Sequence, residues 1–219
     1  MRIIVLILVL FSFTSRSQEN KRSTFTLKPS LGLNGCQVHG DNYSGYDKLG
    51  LFAGIAVNGY INKKTSLELG FYFSQKGSRH NPNPKTGDNT RYILNLNYLD
   101  LPLSLRYMVN SKYFFTLGPS IAYLISYYED INYTDMTGLY KFKKYEVGLN
   151  VGLGRTIGNK WQVEFRSSNS ITSVRDYGVA SSLFYPNPVA RFFNKGFYNN
   201  ILTLMLSYKL ELTKNRAEQ

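Results

Sequence analysis

The stretch that decides the fold is residues 98–107, Tyr-Leu-Asp-Leu-Pro-Leu-Ser-Leu-Arg-Tyr. Leu99, Leu101, Leu103 and Leu105 alternate with Asp100, Pro102, Ser104 and Arg106, so a strand here has one oily face and one polar, partly charged face. Such a strand needs an apolar medium on one side and a polar filling on the other.

Working outward, the same period of two recurs over about 24–34, 49–61, 65–76, 91–108, 113–127, 142–155, 161–172 and 197–212. In the third segment, for example, Leu67, Leu69, Phe71 and Phe73 oppose Ser66, Glu68, Gly70, Tyr72, Ser74 and Lys76. The polar faces are dense in Gly, Ser, Ala and Asn, the small residues that a narrow lumen needs. Tight connections at Asn62-Lys63-Lys64, Asn110-Ser111-Lys112 and Gly158-Asn159-Lys160 alternate with long polar ones, the first of them 35–47. In the fourth segment the apolar set changes parity between Leu96-x-Tyr98 and Leu99-x-Leu101, which predicts a β-bulge near Tyr98 and Leu99.

Composition agrees with one all-β domain: 219 residues, 15% aromatic, with 18 Tyr and 18 Gly. Arg2 followed by the apolar run Ile3 to Phe13 and the small residues Ser15 and Ser17 reads as a signal peptide over 1–17, leaving 18–219 as the folded domain. No later apolar run is long enough for a spanning helix. Without 1–17 the chain keeps 24 basic against 14 acidic side chains, formally +10. An exported basic chain suits an anionic surface such as lipopolysaccharide phosphate, and not nucleic acid. Cys36 stands alone, so neither an internal disulfide nor a Cys-based metal site is expected.

Eight amphipathic strands could also close into a soluble lipocalin-like barrel or a sandwich with the oily faces inward. The small-residue face, the alternation of short and long connections, and aromatics at both ends of the apolar bands argue instead for a membrane barrel. Those aromatics are Tyr107, Tyr113, Phe114, Trp161 and Tyr208 at the short-turn end, with Tyr92, Tyr98, Tyr127, Tyr145 and Phe197 at the other. In hydrocarbon an open edge would leave backbone groups unpaired, so the first and last strands must meet. The expected fold is an eight-stranded antiparallel up-and-down transmembrane β-barrel with short periplasmic turns and long extracellular loops.

Over nearly its whole length the chain resembles the PorT-like outer-membrane β-barrel family. The resemblance rests on Tyr98-Leu99-Asp100-Leu101-Pro102 and, more weakly, on Leu117-Gly118-Pro119, Gly148 to Gly154 and Leu206-Ser207-Tyr208. It implies an eight-stranded outer-membrane barrel and, for the family's namesake, a role in a secretion machinery for surface proteins. The sequence departs from related barrels that end on an aromatic: its last strand ends at Leu212 before a charged tail.

Candidate chemistry falls into a few groups. Lys28, Glu68, Asp100, Arg106, Lys144, Glu146, Glu164, Arg166 and Lys209 share the lumen face, where charges persist only when paired, so a network of ion pairs filling the lumen is expected, with a water or ion channel as the alternative. Lys76, Arg79, Lys85 and Arg91 form a basic cluster around the second long loop, suited to lipopolysaccharide or an acidic partner. Gly148 to Arg155 resembles a phosphate loop but lacks its helix and its Lys-Ser/Thr, so its glycines are read as packing residues. His39, near Asp41 and Ser44, and His80, near Ser78, are the candidates for an outer-leaflet lipid hydrolase. Asp41, Asn42 and Asp47 lack an EF-hand spacing. No catalytic, metal or cofactor site is therefore expected; the sequence predicts a non-enzymatic barrel whose loops meet ligands or partner proteins, with the hydrolase and a soluble periplasmic binding barrel as alternatives.

Overall fold

A computed structural model describes residues 25–177 and 195–212, so the segment read as a signal peptide, the middle of the last long connection and the charged tail lie outside the described residues. The strands are β1 (Phe25–His39), β2 (Lys48–Tyr60), β3 (Thr65–His80), β4 (Tyr92–Met108), β5 (Tyr113–Ile131), β6 (Thr134–Asp135), β7 (Tyr145–Ile157), β8 (Trp161–Ser170), β9 (Arg175–Asp176), β10 (Gly196–Tyr208) and β11 (Leu210–Leu212). Eight of them are long and pair antiparallel in chain order, and β10 closes onto β1 from Ser30 opposite Ser207 to His39 opposite Tyr198. The result is a closed eight-stranded barrel without a free edge.

The pleat sorts the chain as its alternation requires. On β1, Thr26, Lys28, Ser30 and Asn34 are buried inside while Leu31 and Leu33 lie exposed on the outer wall. Leu101, Leu103 and Leu105 of β4 are exposed likewise, with Ser104 and Arg106 buried between them. These leucines face outward, which excludes the inward-oily alternative. The narrow interior needs glycine at close approaches: a Cβ on Gly154 would lie 2.0 Å from the ring of Phe114, its cross-strand partner.

Several boundaries move. β1 runs on to His39 and β3 to His80, so the 35–47 connection and the one that follows the 65–76 segment are shorter than expected and Cys36 is a buried wall residue. The last strand breaks at Lys209 into β10 and β11. A register shift does fall between Asn97 and Tyr98, but the extra residue is on the partner: Asn97 faces Ser126 and Tyr98 faces Leu124, leaving Ile125 over. β4 therefore keeps its even-numbered residues inside along its whole length, and β5 is the strand that flips. The parity change in the β4 sequence is a change in what fills the barrel, from polar to apolar.

Two layers fill the interior. Charged and polar side chains, with a small apolar cluster of Phe52, Ala56, Tyr72 and Met205 among them, occupy the short-turn half, whereas Val38, Tyr92, Leu94, Leu96, Tyr98, Ala122, Leu124, Phe142, Val174 and Phe197 pack as one apolar cluster in the long-loop half. Tyr92, Tyr98, Phe114 and Phe197 thus leave the expected aromatic belts for the interior, where a ring fills space that a small side chain would leave void. Tyr107, Tyr113, Tyr145 and Trp161 stay on the outer surface.

Candidate functional site

The ion network is built from inward positions on five strands. Glu68 of β3 receives Arg106 Nη2 at 2.9 Å and Arg166 Nη2 at 3.8 Å, and is also paired with Lys28 of β1. Glu164 of β8 takes Arg166 at 2.8 Å and Arg106 at 3.3 Å, and accepts the Thr116 hydroxyl at 2.9 Å. The Arg106 guanidinium also donates to Gln162 Oε1 at 2.9 Å and lies 3.8 Å from the centre of the Phe114 ring. Above this layer Lys76 bridges Asp100 at 3.0 Å and Glu146 at 3.2 Å, and the Asn199 amide donates to Glu146 at 2.7 Å. Each charge of this network has an opposite charge within reach, the condition under which ions survive in a dry interior.

Two of the nine network positions read from the sequence sit elsewhere. Lys144 precedes β7 and is exposed, its ammonium 6.0 Å from the centre of the Tyr123 ring. Lys209 is half-buried at the break between β10 and β11. The basic cluster also comes apart. Lys76 belongs to the network, because β3 continues past it and keeps its even residues inside. Arg91 pairs with Asp130 and stacks 4.4 Å over Tyr133. Arg79 donates to Asn81 at 3.0 Å, and Lys85 lies in an exposed 3-10 turn, Pro84–Thr86.

Among the described residues, an interior void of about 10 Å³, about the room one water molecule needs, is bordered by Lys76, Asp100, Glu146, Arg166, Phe52 and Tyr72. Larger concavities lie at the long-loop mouth, where two of them flank a bridge from the Tyr177 hydroxyl to the Gly40 carbonyl. One, about 370 Å³, is lined by Gln37, His39, Gly40, Asn42, Tyr43, Ser44, Tyr177 and Gly196. The other, about 580 Å³, lies among Gly40–Asn42, Leu139–Lys141, Arg175–Tyr177 and Phe197.

The mouth is held by contacts that the sequence did not disclose. Arg175 Nη1 reaches both oxygens of buried Glu129, at 2.8 and 2.9 Å, and the Tyr92 hydroxyl donates to the same carboxylate at 2.9 Å. The Arg175 guanidinium lies 3.8 Å from the Phe197 ring centre, 4.8 Å from Phe142 and 5.1 Å from Tyr140. Glu129 points inward only because β5 changes parity at its bulge, and Arg175 lies in a stretch with no alternation, so neither carried a signal. Beside them Asp176 takes the Ser173 hydroxyl and the ammonium groups of Lys143 at 2.9 Å and Lys195 at 3.6 Å. Partial burial alone would raise the Asp176 carboxyl, but the hydroxyl and the two cations outweigh it and hold it below the ordinary carboxylate range. Burial wins at Asp41, which is lifted above that range.

The two histidines part company. His80 Nε2 lies 2.6 Å from Asp88 Oδ2 and its ring stacks on Tyr43 at 4.5 Å, while Ser78, its neighbour in sequence, is buried. His39 borders the smaller cleft together with Ser44.

A closed eight-stranded wall, oily outside and ionic within, is matched by one family profile, the outer membrane protein beta-barrel domain, over residues 12–176. The chain belongs to that family. No curated protein matches it. Among solved structures, Ail, the attachment invasion locus protein of Yersinia pestis in complex with the heparin analogue sucrose octasulfate, is 12% identical with a TM-score of 0.49, over 87% of this chain and 100% of that one. Neisserial surface protein A is 12% identical with a TM-score of 0.48, over 85% and 97%. CarO of Acinetobacter baumannii is 13% identical with a TM-score of 0.46, over 83% and 97%. Family membership places the barrel in the outer membrane, its leucine-bearing wall in lipid, its short turns in the periplasm and its long loops outside.

Proposed function

We propose that this outer-membrane barrel is a non-enzymatic surface-recognition protein, made of residues 18–219 after removal of a signal peptide over 1–17, whose extracellular loops engage a ligand or a partner protein. The observation that carries this reading is the contrast between an ion-paired lumen, whose void beside Lys76 and Arg166 is about 10 Å³, and clefts of about 370 and 580 Å³ at the extracellular mouth. A barrel filled in this way is a scaffold that presents loops. The PorT-like resemblance favours a partner in a secretion or surface-protein complex, and the exposed Arg79 and Lys85 favour anionic lipopolysaccharide around the rim. The non-enzymatic reading is supported by His80 being spent on Asp88 while the neighbouring Ser78 faces the interior.

Photo-crosslinking in living cells tests the proposal. A photoreactive residue at Lys85, Tyr133 or Tyr140 is expected to yield a discrete adduct with a glycolipid or a protein, whereas the same residue at lipid-facing Leu69 yields phospholipid alone. Phospholipid alone at every loop position would overturn the proposal. In proteoliposomes the barrel is expected to admit no arabinose above the protein-free rate; swelling well above that rate would favour a channel.

A further inference from the structure

The larger mouth cleft has a composition of its own. Arg175 commits Nη1 to Glu129, while its Nε and Nη2 have no hydrogen-bond partner among the described residues, and its guanidinium is held in place by three aromatic rings. Asp41, 7% exposed, is turned to the protein: its Oδ1 accepts the Tyr43 backbone N–H at 3.0 Å and its carboxyl is also bonded by the Ser78 hydroxyl. Asn42, held at φ 68°, borders the same space, as do Lys141 and the half-exposed ring of Tyr140. The cleft thus offers cationic donors with an aromatic face beside them.

We propose that this cleft is a binding site for a sugar ring carrying an anionic group. The anion would lie against Arg175 Nε and Nη2 and Lys141, and an apolar sugar face would rest on Tyr140. A ligand with only a charge would leave that ring unused. A purely apolar one would strand the unspent guanidinium donors. The volume, about 580 Å³, falls within the range of small-molecule sites, about 300–1,000 Å³. Such a ring can come from the outer-leaflet glycolipid or from a free polysaccharide, and the same donors would serve both. The assignment rests on the surface-recognition reading and adds a ligand class to it.

Saturation-transfer NMR on the full chain in detergent, titrated with digalacturonate and with its neutral counterpart digalactose, is the test. Saturable transfer from digalacturonate is expected, with digalactose at least fivefold weaker. Asn42→Gly, which removes the side chain and suits the positive φ, and Tyr140→Ala should each weaken digalacturonate at least threefold while leaving the heat-modifiable gel shift of the folded barrel unchanged. Tyr133→Ala, outside the cleft, should not. Purified lipopolysaccharide that displaces digalacturonate identifies the glycolipid as a source; failure to displace it identifies free polysaccharide. Equal binding of the two disaccharides, binding indifferent to both cleft variants, or no transfer at 10 mM overturns the assignment. Loop adducts in the crosslinking experiment would still stand in that case, so the general reading fails only if they too are missing.

Discussion

At the scale of single residues, Glu68 is the hinge of the interior. It is buried and faced by Lys28, Arg106 and Arg166, so a neutral amide there would leave three cations sharing Glu164 as the remaining carboxylate of their layer. Breaking a buried ion cluster on one side costs about 3–5 kcal/mol. Glu68→Gln is therefore expected to lower the unfolding free energy of the barrel, obtained from urea titration read by gel mobility, by an amount in that range. Lys144→Ala, on the outside, should stay within about 0.5 kcal/mol of the parent. Equal effects of the two substitutions would mean that the network contributes little to the fold.

At the scale of elements, the short pairing of β9 with the start of β10 closes the mouth. Its register, Gly196 opposite Asp176 and Phe197 opposite Arg175, sets Arg175 over the apolar plug and Asp176 between two lysines. A carboxyl held below its unfolded value contributes in full above that value, about 3.9, and its contribution is lost as pH falls through the folded value. The β9–β10 pairing is thus expected to be intact at neutral pH and to loosen only below about pH 4. The protection factor of the Tyr177 amide, whose N–H donates to the Lys195 carbonyl at 2.9 Å, should fall there in the parent chain. In Asp176→Asn it should be low already at neutral pH and change little in acid. Loosening of the parent on going to alkaline pH instead would contradict the sign of this argument.

At the scale of the whole molecule, depth in the bilayer follows from where the outward aromatics sit. Trp161 is the one tryptophan of the chain, lies at the short-turn end and meets Tyr208 edge-on at 4.9 Å between ring centres. Aromatic rings with a polar edge settle at the headgroup level. Its fluorescence should be quenched more strongly by lipids brominated near the headgroup than by lipids brominated near the chain ends. The opposite order would place the short turns inside the hydrocarbon and displace the whole barrel.

Alternation alone determined which side of each strand meets lipid, because a period of two puts every second side chain on one face whatever the strand's partners are. Leu99 to Leu105 outside and Asp100 to Arg106 inside, the closure of first strand on last, and the ionic filling around Glu68 were all readable in that way. Alternation carries no information about height in the lumen or about which strand of a pair absorbs a bulge. So the even residues Leu94 and Leu96 looked like a flipped wall and are a plug, Lys76 looked like a loop cation and is a buried bridge, and Glu129 and Arg175 gave no sign of meeting. Glu129 and Arg175 stand 46 positions apart in sequence and Lys76 and Glu146 stand 70 apart; they meet across space that only a closed barrel encloses, so tertiary packing alone decides those contacts.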